Sequence, residues 1–417
     1  MKIREVIQGG ENPGMQIVWE GNWLSPNGHA TVCRNMTAAL TALGVDVKLR
    51  TTERVSIHRH AAYLRNRYLS MLQRPYKPSQ ERVRIIHRAP PDFRREDDLL
   101  TIGAAYAEAT AVPTAWVSTI NREVDVLMVA SQHSLQAFQA SGVTRPIWVV
   151  RHGVNRTHAL AFKSHPIRWS KLTTIPDFRF LSVFEWVPRK GYDILLQAFW
   201  EEFNEQEDVC LVLKTRSFTG VENTSIFHQI RALKREYGHT HSAPVYVCTE
   251  PLTEMCLMDL YHAASVFVLA TRGEGIGLPL LEAAAIGLPV IATGWGGQTE
   301  FLPARLAHLV QFTLEPVPVH HDNPRAESLV GWWAHPDVMD LRRHLRQVYA
   351  HPTRAYRQAA RLRREILDHW TWNISAYQLL RHIWAYLGQT LNLDGKIVPT
   401  LSFTSPHAPT WKGGERL

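Results

Sequence analysis

Short apolar runs alternate with stretches of helical periodicity along most of the chain. In the first half, Met15–Trp19, Val45–Leu49, Arg84–His87, Val124–Val129 and Ile147–Val150 read as strands, since each is brief, rich in β-branched residues and set between polar or turn-forming segments. Between the first two, Cys33–Leu43 carries helical spacing and Gly44 supplies its stop. The pattern restarts at Phe178–Phe184. There Ile194, Leu195, Ala198, Phe199 and Phe203 form one apolar stripe of a helix over Tyr192–Phe203. Val209–Lys214, Val245–Val247, Ser265–Ala270 and Leu288–Ala292 follow as strands. Strands alternating with helices predict an α/β fold with two doubly wound Rossmann-like domains facing a central cleft. The expected boundaries are a first domain over 1–160, a linker over 161–176, a second domain over 177–370, a helix within 374–390 and a tail over 394–417.

The loops at 25–29, 185–191 and 271–279 each follow a predicted strand and so can face that cleft. The last holds the densest chemistry. Glu274-Gly-Ile-Gly-Leu-Pro-Leu-Leu-Glu282-Ala-Ala284 sets two carboxylates eight positions apart around a glycine-spaced turn, with Pro279 suited to open a helix and Gly287 to close it. Gly275 and Gly277 allow close approach of a ligand to the backbone, and free N–H groups at a helix start favour phosphate. Ionised glutamates only accept hydrogen bonds, which suits sugar hydroxyls. Together these point to a sugar nucleotide. The competing dinucleotide fingerprint fails because its third glycine would fall on Leu278, and the strand ending at Ala292-Thr-Gly294 lacks the acid that would hold an NAD ribose.

Arg189 and Lys190 precede Gly191 at the start of an amphipathic helix, where fixed cations can stabilise a departing diphosphate. An ordinary surface pair is the competing account. His87 ends a strand before the rigid exit Arg88-Ala-Pro-Pro91 and is a candidate contact for sugar or acceptor; a structural histidine explains it equally well, and His29 stands no better.

Composition changes the picture in three places. The 417 residues contain no 18-residue apolar stretch, and charges in the first 20 residues replace the apolar run of a leader, so a cytoplasmic protein is expected. Four cysteines without C-x-x-C spacing read as buried thiols. Of the net charge of +8, +7 falls on residues 1–160, and residues 50–95 hold 12 basic side chains against Glu53, Glu81 and Asp92. This predicts an anionic partner: a phosphorylated acceptor or an anionic membrane surface at the inner face, with nucleic acid disfavoured for lack of any accompanying signature. Arg59–Arg74 reads as a basic amphipathic helix, packed on the first sheet or lying in a membrane interface.

At these residues the chain resembles the retaining glycosyltransferases of family 4, which have the GT-B fold. Glu274–Glu282 is similar to the family's E-x7-E signature, Arg189-Lys190-Gly191 to its Lys-Gly loop, and Ser141-Gly-Val143 and His152-Gly-Val-Asn155 to markers ending its N-terminal domain. The resemblance implies transfer of a sugar from a nucleoside-diphosphate sugar to a glycan or glycolipid, with retained anomeric configuration and without a bound metal or other cofactor. It implies that Glu274 holds donor-sugar hydroxyls and Glu282 the ribose. Backbone groups of Gly275, Ile276, Gly277 and Leu278, with Arg189 and Lys190, would meet sugar and phosphate; Asn27 and Gly28 would approach the diphosphate, and Glu250, Pro251 and Leu252 would lie near the base. The last helix would return to the N-terminal domain. Departures are Glu185 in place of a common Arg, Ile276 in place of an aromatic, Asn155 in place of Asp, and a single glycine, Gly28, in the N-terminal loop. A sugar-nucleotide epimerase and a non-catalytic glycan- or lipid-binding relative are the alternatives on the same fold.

Overall fold

The computed structural model describes residues 15–25, 27–51, 68–160, 175–217, 224–318 and 329–391. Its first sheet contains β1 (Gln16–Gly21), β2 (Asp46–Thr51), β3 (Arg82–His87), β4 (Leu100–Ala104), β5 (Val126–Val129) and β6 (Ile147–Val149). These are joined by α1 (Gly28–Ala42), α2 (Thr114–Glu123) and α3 (Gln132–Ala140), with α4 (Arg156–Leu160) after the last strand. All pairings are parallel, in the order β2-β1-β3-β4-β5-β6.

The second sheet repeats the plan. It runs through β7 (Phe178–Val183), α5 (Tyr192–Glu202), β8 (Val209–Lys214), α6 (Thr224–Glu236), β9 (Val245–Cys248), α7 (Glu254–Ala263), β10 (Val266–Leu269), α8 (Leu278–Ile286), β11 (Val290–Thr293) and β12 (His308–Val310). The order is β12-β11-β10-β7-β8-β9, again parallel. An antiparallel hairpin of β13 (Phe312–Pro316) and β14 (Trp332–Pro336) follows, then α9 (Val338–Ala350), α10 (Pro352–His369) and α11 (Trp372–Leu391). The described residues up to Gln378 form one compact unit and those from Leu379 a second, the boundary falling within α11. Most of the expected linker and the whole tail over 394–417 lie outside the described residues, as do 59–67 of the predicted basic helix.

Both sheets reverse their winding direction once. In the first, β2 lies on one side of β1 and β3 on the other; in the second, β8 and β10 flank β7 in the same way. Ligands of doubly wound sheets bind at the carboxyl ends of the strands flanking such a reversal. The loops after β1, β3, β7 and β10 are therefore the positions the topology favours.

The two sheets bury different surfaces. Strands β8, β10 and β11 are buried throughout and mostly apolar, and β7 is buried at its centre, as expected with helices on both faces. In the first sheet one face of β1–β3 is apolar, carrying Ile17 and Trp19, Val47 and Leu49, and Val83 and Ile85, while the other buries Val18, Ile86 and Leu127 beside charged groups. The opposite face presents Glu20, Lys48, Arg50, Arg82 and Arg84. Arg84, 2% exposed, reaches Asp98 at 2.7 Å, Glu96 at 3.2 Å and Glu20 at 3.5 Å. Arg82 pairs with Asp98 at 2.9 Å and Arg50 with Glu96 at 2.7 Å, beside a cavity of about 280 Å³ lined by Arg84, Tyr76 and these four groups.

This pairing revises the charge expectation for the described part of 50–95. Arg74 meets Asp46, Lys77 meets Glu81, Arg88 meets Asp92 and Glu20, and Arg95 meets Asp125. Much of the compensating charge comes from Glu96 and Asp98, just beyond that window. The cations there are largely spent on internal partners.

Four strands, β4, β12, β13 and β14, have no counterpart among the strands expected from the sequence, and β4 is the one that bears on the site. Leu-Thr-Ile-Gly-Ala is short and poor in β-formers at its end. Gly103 is required there because a Cβ would lie 2.4 Å from the Phe93 ring. Missing β4 also hides the loop that follows it, which holds Tyr106 and Glu108.

Candidate functional site

After β7 the chain makes a tight 3₁₀ turn, Pro188–Lys190, closed by Gly191 at φ 62°. A side chain at 191 would meet the Ala270 carbonyl oxygen at 1.8 Å, so glycine allows this turn to lie directly against the loop after β10. Arg272 fixes the contact. Its guanidinium donates to the Pro188 carbonyl at 2.7 Å and to both carboxylate oxygens of Asp193 at 2.9 and 2.7 Å, while its backbone N–H donates to the Arg189 carbonyl.

This arrangement brings Arg189, Lys190 and Glu274 together. Lys190 Nζ lies 2.5 Å from Glu274 Oε1, and Thr271 Oγ1 donates to the same oxygen at 3.0 Å. Arg189 Nη1 donates to the Gly273 carbonyl at 2.5 Å and lies 3.6 Å from Glu274. Its Nη2 meets Glu108 Oε1, from the first sheet's β4 loop, at 2.7 Å. Glu274 is 5% exposed. Burial pushes its carboxyl up, but Lys190 and Arg189 outweigh that and hold it below the ordinary range. Burial raises Glu108, against the opposing pull of Arg189 and Lys190.

The glycines of the signature do more than was expected. A Cβ at Gly273 would lie 1.9 Å from the Glu108 carbonyl oxygen, and one at Gly275 would lie 2.8 Å from Tyr106 Cβ. Ser131 Oγ donates to the Gly275 carbonyl at 2.6 Å, and Glu300 accepts from the Gln132 N–H. At 273 and 275, then, the missing side chains make room for the N-terminal domain. Gly277, at φ 82°, supplies the left-handed residue that starts α8.

Two helix starts converge beside this cluster. A Cβ at Gly28, first residue of α1, would lie 3.7 Å from a Leu278 methyl, first residue of α8. Asn27 caps α1 by accepting from the Ala30 N–H at 2.9 Å, so its side chain is committed to the helix. Arg34 holds the loop before it through the Trp23 and Ser25 carbonyls and meets Glu254 of α7 at 3.3 Å. Positive helix ends and two cations around one gap make a favourable place for an anion. Ile276 is buried and Leu278 half-buried in this turn.

Glu282 lies four residues into α8 and faces α7. Tyr261 donates to it at 3.0 Å. Burial pushes its carboxyl up to about 7, against the Tyr261 hydrogen bond and with help from nearby Glu254. Glu250 and Pro251 are exposed and Leu252 half-buried, just past β9 at the sheet edge. That strand is three places from β10, or about 14 Å.

His87 is turned inward, 2% exposed. Its Nδ1 lies 3.0 Å from Cys33 Sγ and its Nε2 2.7 Å from the Tyr106 hydroxyl, which also meets His152 Nε2 at 3.1 Å. Trp19 Nε1 donates to Cys33 Sγ at 3.2 Å. Burial lowers His87 well below its ordinary value and His152 to about 3, so both rings are neutral. Exposed His29 lies against this network, 5.2 Å from the His87 ring and 5.6 Å from that of Tyr106. The residues that sequence reasoning missed are Glu108, Tyr106, Thr271, Arg272 and Asp193. Arg272 had a readable signal in its place ahead of Glu274, whereas Glu108 and Tyr106 had none without β4.

Comparison with known proteins bears on the fold and on the second domain. Residues 176–311 match the family model described as Glycosyl transferases group 1. Uncharacterized protein 356 of Sulfolobus islandicus rod-shaped virus 1 is 22% identical over 54% of this chain and 60% of its own length. The serotype-specific mannosyltransferase WbdA of Escherichia coli is 30% identical over 29% of this chain but only 14% of its own length. The chain thus spans less than two thirds of these curated relatives. Among solved structures, Anabaena Alr3699/HepE in complex with UDP and glucose superposes with a TM-score of 0.63 at 12% identity, over 89% of this chain and all of the other. Among the described residues no helix is long and apolar enough to cross a membrane. The fold is therefore that of GT-B proteins, two parallel-sheet Rossmann-like domains, and the second domain carries the glycosyl transferases group 1 match.

Proposed function

We propose that this chain is a retaining glycosyltransferase that moves a sugar from a nucleoside-diphosphate sugar to a glycan or glycolipid acceptor without a bound metal ion. The observation that carries this reading is the Arg189–Lys190–Glu274 cluster at the point where the second sheet reverses, beside the converging starts of α1 and α8. The diphosphate occupies that gap. As its bond to the sugar breaks it gains negative charge, and preorganised cations and helix N–H groups favour that state over the ground state. Glu274 keeps Lys190 in place and presents its remaining acceptor capacity to sugar hydroxyls; Glu282 accepts from the ribose.

Retention in this reading comes from the resemblance of Glu274–Glu282 to the family 4 signature; His87, with both ring nitrogens engaged in the interior, is not the acceptor-side base that an inverting displacement needs. The match of residues 176–311 and the UDP and glucose bound to HepE support a nucleotide-sugar donor in the same way. The test is release of nucleoside diphosphate from UDP-, GDP-, ADP- and CDP-sugars in the presence of glycan and glycolipid acceptor fractions. Acceptor-dependent release with one donor is expected, and the product's anomeric configuration by NMR should equal the donor's. No release with any donor overturns the reading; turnover of the donor sugar without acceptor favours the epimerase instead.

A further inference from the structure

Glu108 has no place in the reaction as described, yet it touches the cation pair most directly involved. Its carboxylate lies 2.7 Å from Arg189 Nη2, and its backbone oxygen abuts Gly273. Glu274 and Glu185 are close enough to hinder its ionisation. The cluster thus sets Arg189 and Lys190 against Glu108 and Glu274, with Glu185 on the same loop as the cations. A diphosphate entering this cluster finds both cations already paired with carboxylates, so it gains their full charge only if a carboxylate leaves.

The three acids are not equally able to leave. Glu274 is enclosed and held by Lys190 and Thr271 on its own domain. Glu185 sits on the same loop as the cations. Glu108 comes from the other domain, and its side chain is about five times as exposed as that of Glu274, 31% against 6%. It is the group that can withdraw without dismantling the turn.

Resting on the donor-binding reading above, we infer that Glu108 is an internal counter-ion for Arg189 which the incoming diphosphate displaces. Nucleotide and Glu108 then compete for one guanidinium. Removing the competing charge tightens nucleotide binding, whereas a residue that merely orients Arg189 toward the ligand would weaken it when lost. The sign of the effect separates the two roles.

The experiment is calorimetric titration of the full chain with UDP, GDP, ADP and CDP, for the parent, Glu108→Gln, Glu108→Ala and Lys190→Ala. The parent is expected to bind one nucleotide, both Glu108 variants to bind it about tenfold more tightly, and Lys190→Ala at least tenfold more weakly. If Lys190→Ala weakens binding while both Glu108 variants bind no more tightly than the parent, the counter-ion role is overturned and the donor-site reading stands. Binding of none of the four nucleotides by any variant overturns both. Thermal unfolding of each ligand-free variant identifies one that has failed to fold, and the other Glu108 variant then decides the outcome.

Discussion

The Lys190–Glu274 cluster and the Arg84–Asp98 cluster are built from the same residue types, with shortest separations of 2.5 and 2.7 Å. One lies past the carboxyl ends of β7 and β10, at a reversal of the sheet. The other lies on the broad face of β1–β3, under the chain that leads into β4. Buried ion pairs repay their desolvation only with good geometry and full hydrogen bonding; Glu274 Oε1 is met by both Lys190 and Thr271, whereas Glu20 Oε2 and Arg82 Nε in the other cluster have ion-pair neighbours without a hydrogen bond. The difference is what else can reach them. Charges at strand ends can be approached by a ligand from the cleft, while charges on a sheet face replace an apolar packing surface. Residue type does not separate chemistry from architecture here; position relative to the strand ends does.

The contrast makes the largest effect a catalytic one. Lys190→Ala should lower turnover by about 10³-fold, the cost of losing one preorganised charge at a departing oxyanion, read as nucleoside diphosphate released per unit time. Arg189 at 3.6 Å from Glu274 limits the accompanying loss of stability. Arg84→Met should act in the opposite sense. It leaves buried Asp98 to Arg82 alone and Glu20 to its contacts with Arg50 and Arg88, and should cost about 3 kcal/mol in urea unfolding, while nucleotide affinity of the folded protein stays unchanged. A weakened affinity there would break the distinction between the two clusters. Adding Asp98→Leu to Arg84→Met should recover part of that stability.

Gly273→Ala sharpens the comparison from the other side. The new methyl would press on the Glu108 backbone and spread the contact between the two sheets, so turnover should fall about 100-fold through misplacement of groups it does not touch. The smallest effect concerns pH. Glu282 has a folded value of about 7, above the ordinary carboxyl value, so the folded state holds its proton longer than the unfolded one. Stability from this group is full at low pH, falls as pH rises from the ordinary value to about 7, and is flat above. Glu282→Gln should therefore gain on the parent by about 2 kcal/mol in unfolding free energy between about pH 5.5 and 8.

The alternation of strands and helices, strands β7 to β11 and the turn from Glu274 to Gly287 were legible from the chain because those signals are local. A continuous apolar run, a proline at a helix start and a glycine at its end each act within a few residues. The first domain was less legible. Its β4 is an alanine- and glycine-ended strand that depends on Phe93 covering Gly103, and its basic residues find their carboxylates on other strands and loops.

What the sequence alone determined is the succession of elements and the residue types offered at each strand end. Which of those residues meet was decided by tertiary structure. The reversal of sheet order places the Lys190 turn against the Glu274 loop, and the approach of the first domain brings Glu108 to Arg189 and Tyr106 to Gly275. Those contacts join residues some 80 to 170 positions apart, and no local pattern encodes a separation of that size; only the packing of two sheets against each other fixes it.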